Sequence, residues 1–468
     1  MKKHLIRPLS LVLSCMVLGG AAMSCTPVGT ETSPDQTAGS TTAGESQSSA
    51  TEIPESSGGT VESPLATGDT QPPSQIVHVD GDIFNNPNAK MLGGTVCDYL
   101  QFKLWYGGFI DANPLQVMKE NGFNWVRVGV LMKEDETLDG LPYDEWNTVQ
   151  ARGWSTKPYA KRILKEASDV GLMKNLFFFL SDTAASGAEQ NAPYAWKNLS
   201  VEETAEKLEE YCFETTKYFI DDGIKIDLYE LGNENERGIL NFRPDERIER
   251  PADVNVLTNI TWMRENVWTI QAELFRAAIQ GIRRADPDAK IGIHGSCFGY
   301  ADNMLILGFF EAMINYGVDY DVASASYYWR DIHADFASPR SPKEAYWTTR
   351  EWRNTLQRIE AMDKIFILGE IQYPFMEEAF DAAPDIGYPY TQEGQANWLY
   401  DLLTYVGDTP GVAGTIYFYP DYYDNMASGY RELNMCGLFT PPPDFGPLPG
   451  MLAYRRFADE YVAKMGGN

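Results

Sequence analysis

The stretch Ile226-Asp227-Leu228-Tyr229-Glu230-Leu231-Gly232-Asn233-Glu234 runs from a short apolar segment directly into Gly-Asn-Glu. A run this short, closed by turn-forming residues, reads as a buried β-strand that ends in a carboxylate. Working outward from it, short apolar runs recur on both sides, and the strands expected in order are 90–96, 124–130, 173–180, 226–232, 290–294, 320–326, 365–370 and 412–419. Amphipathic stretches lie between them. Asn113-Pro114 opens one with a capping residue and a proline at the first helical position. Tyr159, Ile163, Leu164, Ala167 and Val170 recur at helical spacing, and Ser200 with Glu203 forms a capping box. A longer run from Trp262 stops at Asp286-Pro287, and Thr391 caps another helix. Eight strands, each followed by a helix, predict an α/β protein of the (β/α)8 TIM-barrel class, built as a single domain. A doubly wound sheet would carry a glycine-rich phosphate loop after its first strand, and neither Gly93-Gly94-Thr95 nor Gly107-Gly108 has that spacing.

In such a barrel, polar residues at the C-terminal ends of strands face the active site. Those ends hold Arg127, Ser181-Asp182, Asn233-Glu234, His294, Tyr327-Tyr328, Glu370 and Tyr419. Glu234 and Glu370 close two different strands, where a carboxylate is costly unless it is partnered or functional. The ends of strands 4 and 7 face each other across the mouth, which suits glycoside hydrolysis. That chemistry needs one carboxyl to protonate the leaving oxygen and a second, about 5–5.5 Å away in retaining enzymes, as nucleophile. Metal-dependent barrels also place acids at this position, so the pair alone leaves the chemistry open.

The rest of the chain narrows the classes. It has 468 residues, 66 Asp and Glu against 38 Lys and Arg, and a formal net charge of −28. That argues against a nucleic-acid partner, because phosphate binding requires a basic surface. Its four His are scattered and no Cys-x-x-Cys occurs, so no metal site is expected from spacing. Lys2, Lys3 and Arg7 precede an apolar run that is too short to span a membrane and ends at Ala22-Met23-Ser24-Cys25. Residues 1–24 read as a bacterial lipoprotein signal with Cys25 as the lipidated residue; Cys15 leaves too short an apolar region, and a plain signal peptide is the simpler alternative. Residues 25–76, rich in Ser, Thr, Gly and Pro, cannot bury enough apolar area to offset chain entropy and are expected to be a disordered tether. Three basic residues fall in the leader and seven acidic ones in the tether, so residues 76–468 still carry −24. A catalytic domain over 77–468, exported and held at the cell surface by its lipid, follows. Membrane contact is expected only through that anchor, and a monomer is the default. Cys97, Cys212, Cys297 and Cys436 are too few for a disulfide scaffold and read as buried thiols.

The motifs, taken in order, resemble glycoside hydrolase family 53, the arabinogalactan endo-β-1,4-galactanases of clan A. Leu231-Gly232-Asn233-Glu234 looks like the clan's strand-4 Asn-Glu, and Asn121-Gly122-Phe123-Asn124-Trp125-Val126-Arg127 is similar to the family's second strand. Pro193-Tyr194-Ala195-Trp196 resembles its Pro-x-Ala-Trp stretch, and Ser326-Tyr327-Tyr328 its strand-6 Ser-Tyr-Tyr-Pro. Glu370-Ile371-Gln372-Tyr373-Pro374-Phe375 resembles the nucleophile segment, and Thr391-Gln392-Glu393-Gly394-Gln395 the lead into helix 7. The resemblance implies Glu234 as acid/base, Glu370 as nucleophile and Asn233 as the contact to the sugar 2-hydroxyl. Arg127 and one of Tyr327 or Tyr328 would orient Glu370. His294, Trp196 and Tyr373 join the candidate sugar contacts. A neutral polysaccharide or oligosaccharide, with galactan first, is the implied substrate. No cofactor is implied.

Departures from the family pattern touch the substrate contacts. The strand-3 Asp-Phe-His-Tyr-Ser-Asp stands here as Phe177-Phe178-Phe179-Leu180-Ser181-Asp182, strand 8's Trp-Glu-Pro as Phe418-Tyr419-Pro420, and the second Arg of Arg-x-Arg as Gly129. The family's loop-7 calcium run is not apparent before Gly387. Another neutral plant glycan, a sugar-binding lipoprotein and a non-hydrolysing barrel therefore stay as alternatives. Glu236 competes with Glu234, although the preceding Asn favours Glu234. Glu370 can be read as a structural partner of Arg127, and His294 as a core histidine. Asp182 reads as a loop-capping acid, and Trp105, Trp196 and Trp329 as either packing or sugar platforms.

Overall fold

The structure is a computed structural model that describes residues 78–96, 113–132, 155–296, 303–328, 347, 349–376, 387–421, 436–440 and 446–466. The leader, Cys25 and the tether lie outside these residues, as do Cys97, Trp105, Cys297, Trp329 and the segment before Gly387.

Eight parallel strands close in chain order: β1 (Met91–Thr95), β2 (Trp125–Val130), β3 (Met173–Phe178), β4 (Leu228–Leu231), β5 (Ile291–Gly295), β6 (Val322–Tyr328), β7 (Ile365–Gln372) and β8 (Gly414–Phe418), which pairs back onto β1. The chain is a (β/α)8 barrel. Eight outer helices follow the strands among the described residues: α1 (Pro114–Glu120), α2 (Lys157–Val170), α3 (Val201–Ile220), α4 (260–285), α5 (Met304–Asn315), α6 (Arg350–Glu360), α7 (Gln392–Asp408) and α8 (Pro449–Gly466). Several of their starts are set by side chains that satisfy otherwise orphaned amides. Asn113 accepts from the amides of Leu115 and Gln116, Ser200 and Glu203 make the full capping box, and Thr391 accepts from Gly394. A five-residue π-turn, Arg264–Trp268, interrupts α4. None of the described helices is long and apolar enough to cross a membrane.

The barrel interior changes character along its axis. Its lower end is an apolar plug of Met91, Trp125, Leu228, Val322, Ile367 and Ile416. The segment before β1 seals that end, where Trp125 Nε1 donates to the Gly81 carbonyl at 2.8 Å and Asn124 bonds the backbone of Leu92, Lys90 and Val79. Alternation along each strand then turns the next inward positions polar. Arg127, Asn175, Glu230, His294 and Ser326 occupy them, all buried. Tyr327 and Tyr417, on the opposite phase, belong to the apolar layer between strands and helices.

Candidate active site

One irregularity decides where Glu370 points. Between β6 and β7 the register runs Ala325↔Leu368 and then Ser326↔Glu370, so β7 carries one extra residue, Gly369. A bulge of this kind re-aims the side chains that follow it. Here it brings Glu370 beside inward-facing Ser326. A Cβ on residue 369 would lie 1.9 Å from Ser324 Oγ, so any larger residue there would force that serine side chain to move. On β4 the chain turns sharply at Gly232 (φ 74°), and Glu234 itself adopts φ 52°. A left-handed glutamate is uncommon and costs energy that the surrounding contacts must offset. Those contacts are present: Gln190 Nε2 donates to the Asn233 carbonyl at 2.7 Å, and Asn235 Nδ2 to the Leu231 carbonyl at 2.9 Å.

The guanidinium of Arg127 ties the interior together. Its Nε and Nη2 donate to Glu230 Oε2 at 3.2 Å and Oε1 at 2.9 Å, its Nη1 to Glu370 Oε1 at 2.9 Å, and its Nη2 also to Asn233 Oδ1 at 3.0 Å. Its face lies 3.8 Å from the centroid of Phe177. Burial disfavours the guanidinium charge, but Glu230 and Glu370 outweigh that and raise the Arg127 pKa. Glu370 takes a second donor on its other oxygen, Tyr328 Oη at 2.7 Å. Burial, followed by the charges of Glu370 and Glu234, holds the Tyr328 hydroxyl well above its usual range and therefore protonated.

Glu234 has a different environment. Its Oε2 accepts from the Gly187 amide at 3.0 Å and its Oε1 meets Ser326 Oγ at 2.7 Å, both uncharged partners. Burial first, and the charge of Glu370 second, push its carboxyl up to about 7 against the opposing effects of Gly187, His294 and Ser326. One carboxyl is thus cradled by a guanidinium and a phenol, and the other favours its proton.

The structure brings together Arg127, Asn233, Glu234, His294, Tyr328 and Glu370 and turns two other candidates, Tyr327 and Tyr373, away from them. Tyr327 packs edge-to-face on Trp352 of α6, ring centroids 5.6 Å apart, because it sits one residue out of phase with Ser326. Tyr373 stacks on Trp398 of α7 at 5.1 Å and donates to the Tyr388 carbonyl, outside the barrel wall. Tyr327 and Tyr373 thus move from candidate sugar contacts to packing groups. Trp196 ends a short 3-10 turn, Tyr194–Trp196, and rests half-buried against the main apolar core. Glu236 is turned onto Ser296, accepting from its amide and its hydroxyl at 2.8 Å each. Asp182 caps the same 3-10 turn through the Tyr194 amide at 3.3 Å. Cys212 and Cys436 are both buried. No group of three or more His, Cys, Asp or Glu among the described residues is placed to hold a metal ion.

Reading strand ends alone passed over Glu230. It is wholly buried in mid-β4, accepting from Arg127, from Asn175 Nδ2 at 2.6 Å and bonded to His294 Nδ1 at 2.7 Å. Burial works against its charge, but Arg127 and then His294 outweigh it and hold its pKa down to about 2. The signal was available: an acid two residues on from the inward-facing Leu228 must also face the barrel axis. Ser326, which joins Glu234 to His294 Nε2 (3.0 Å), was likewise passed over in favour of the tyrosines beside it.

The departures at the mouth are spatially linked. A Cβ at residue 129 would lie 2.5 Å from both the Phe177 and Phe179 rings, so Gly129 provides the space those rings fill. Leu131, Phe177, Phe179, Ala184 and Ala185 form a separate apolar cluster there. Phe418 stacks on Tyr419 at 3.8 Å and meets Tyr328 edge-on at 6.2 Å.

A closed (β/α)8 barrel with two unlike carboxyl groups at the ends of β4 and β7 is an arrangement suited to glycoside hydrolysis. The sequence profile of Glycosyl hydrolase family 53 matches residues 108–439, and the chain belongs to that family. It is 26% identical over 318 residues to an endo-beta-1,4-galactanase of Bacillus subtilis (strain 168), covering 64% of this chain and 61% of that one. An arabinogalactan endo-beta-1,4-galactanase of Humicola insolens is 24% identical over 348 residues, covering 71% and 88%. Among solved structures, the GH53 catalytic domain of Ignisphaera aggregans superposes with a TM-score of 0.59 at 23% identity, covering 80% of this chain and 98% of that one.

Proposed function

We propose that the protein is a retaining glycoside hydrolase that cleaves β-linked glycan, acting as an endo-β-1,4-galactanase on galactan or arabinogalactan. Glu234 serves as acid and then base, and Glu370 as nucleophile. The observation that carries this reading is the contrast between the two carboxyls. Glu234 is pushed up to about 7, so it holds a proton near neutral pH. Glu370 meets Arg127 and Tyr328 on its two oxygens. Protonation of the leaving oxygen by Glu234 and attack by Glu370 give a glycosyl-enzyme, and Glu234 then deprotonates the water that hydrolyses it. Asn233, fixed by Arg127 and the Ala185 carbonyl, is the group for the sugar 2-hydroxyl. Neither step calls on a metal or cofactor.

The names of the relatives support galactan as substrate. The apolar cluster around Phe177 and Phe179 favours a second reading, the same chemistry on a different neutral glycan, because rings replace polar sugar contacts on that side of the mouth. The sequence further supports export and lipidation at Cys25, with residues 25–76 as a tether to a monomeric domain over 77–468.

Incubating the full chain with debranched β-1,4-galactan, arabinogalactan, arabinan, mannan and xylan tests the proposal. Galactan is the expected substrate, the anomer is retained, and Glu234→Gln and Glu370→Gln each abolish hydrolysis. An inverted product rules out Glu370 as nucleophile, and full activity in either variant removes that residue from the mechanism.

A further inference from the structure

Ser326 lies between Glu234 and His294, 2.7 Å from Glu234 Oε1 and 3.0 Å from His294 Nε2. A hydroxyl has one hydrogen, so it donates to only one of these neighbours and must accept from the other. The far side of the ring is constrained as well. Nδ1 lies 2.7 Å from Glu230 Oε1 and 2.9 Å from Arg127 Nη2. The two hydrogens on Nη2 point at Glu230 and Asn233, and Glu230 Oε1 only accepts, so Nδ1 carries a hydrogen and donates it to Glu230. The ring nitrogen facing Ser326 is therefore the one that varies.

Two arrangements satisfy every atom in this chain. In the first, Glu234 is protonated on Oε1 and donates to Ser326, which donates to a bare Nε2. In the second, Glu234 is ionised and accepts from Ser326, which accepts from a protonated Nε2. They interconvert when one proton leaves Glu234 for Ser326 Oγ as the serine proton passes to Nε2, with no gain or loss of charge. Remove that one proton altogether and two acceptors face a single hydroxyl, which leaves one buried lone pair unmatched.

We infer that Ser326 is a positioning residue that makes Glu234 and His294 share one proton, so that the acid/base group is the Glu234–Ser326–His294 unit rather than the carboxyl alone. This rests on the acid/base reading of Glu234. Among the described residues, the other charged or titratable groups near the unit are Glu370 on β7, Arg127 on β2, Glu230 on β4, Tyr328 on β6 and Arg237 in the loop after β4. Sharing strengthens the hold on the proton, whereas a serine that only donated to a carboxylate would weaken it. The sign of the effect of removing the hydroxyl therefore separates the two roles.

The full-length chain, labelled with 15N-histidine, is titrated by NMR, with kcat/KM measured over the same pH range. Only four His are present, so comparison with His294→Gln identifies the ring. The His294 Nε2 shift is expected to step at the pH of the basic limb, and that step to move by about one pH unit, a tenfold change in proton affinity, in Glu234→Gln. In Ser326→Ala the basic limb should fall by about one pH unit and separate from the ring step, and Ser326→Thr, which keeps a hydroxyl, should restore both. A basic limb that rises or stays in place in Ser326→Ala overturns the inference, as does a His294 ring with no step at the wild-type limb. The comparison of wild type with Glu234→Gln decides the matter even where Ser326→Ala does not fold. Full hydrolysis by Glu234→Gln would instead remove the acid/base reading, an outcome the ring titration cannot mimic.

Discussion

Glu234→Gln is expected to inactivate the protein and, above neutral pH, to stabilise it. The carboxyl is raised in the fold from 4.5 to about 7, chiefly by burial and then by Glu370. A carboxyl with a raised folded pKa contributes its full stability below the unfolded value, and that contribution is lost as pH rises through the folded one. A difference of about 2.5 units corresponds to about 3 kcal/mol lost between roughly pH 4.5 and pH 8. Glutamine escapes this loss because it stays neutral, and it reproduces the protonated acid: its oxygen accepts from the Gly187 amide and its amide donates to Ser326. For a barrel of about 390 residues, unfolding entropy near 2.1 cal/mol/K per residue turns 3 kcal/mol into about 4 °C. Glu230 contributes with the opposite sign: its depressed pKa gives stability that is present above about 4.5 and lost as pH falls toward 2. That loss is common to both proteins and cancels in the comparison. Thermal unfolding of wild type and variant at pH 4, 6 and 8 should show curves that nearly coincide at pH 4 and separate by about 4 °C at pH 8, variant higher. A constant offset at all three pH values, or a variant less stable at pH 8, would refute the assignment of Glu234 as the group that holds its proton.

Arg127→Met leaves Glu230 and Glu370 buried without their cation and should cost about 3–5 kcal/mol in denaturant unfolding, with Arg127→Lys no full rescue because one ammonium cannot bridge both carboxylates. Tyr328→Phe removes a hydrogen bond to a carboxylate worth about 1.5–3 kcal/mol, so kcat/KM should fall roughly 10- to 100-fold while the fold survives, as circular dichroism would show. Gly129→Ala forces a methyl against two buried rings and should cost about 1–3 kcal/mol. Combined with Phe177→Leu the cost should be clearly less than additive, and strict additivity in a double-mutant cycle would show that Gly129 does not make room for Phe177.

Most of the architecture was legible because its signals are local. Each expected strand overlaps an observed one, and Asn113, Ser200 and Thr391 cap helices as their residue types suggest. What escaped depended on phase. Between Tyr327 and Tyr328 the sequence offers two identical residues, and only the alternation from Ser326 assigns the second to the interior. Glu370 obeys no simple alternation, since the Gly369 bulge shifts the register just before it. Tyr373 sits in the segment that most resembles the family's nucleophile strand, yet its phase carries it to the helix layer. Glu230 was hidden for a different reason. A strand recognised by its apolar run tends to be read as apolar throughout, and the compensating charge, Arg127, comes from a strand 103 residues earlier.

The position of Glu230 also explains why one arginine can serve a site with three acids. If Arg127 faced Glu370 alone, its full charge would bear on both members of the pair and draw Glu234 toward its ionised form. Glu230 takes two of the guanidinium's contacts, at 3.2 and 2.9 Å, and leaves Glu370 a single one at 2.9 Å. The arginine then orients Glu370 while much of its field is spent on an acid that never leaves the barrel core. The carboxyl supplied only by an amide and a hydroxyl is left to take the proton. Which of the three acids protonates therefore follows from which of them the guanidinium reaches. Glu230→Gln should accordingly lower the pH at which Glu234 ionises, shifting the basic limb of kcat/KM downward even though residue 230 touches no substrate. An unshifted limb would mean that burial and the charge of Glu370, and not the sharing of Arg127, keep Glu234 protonated.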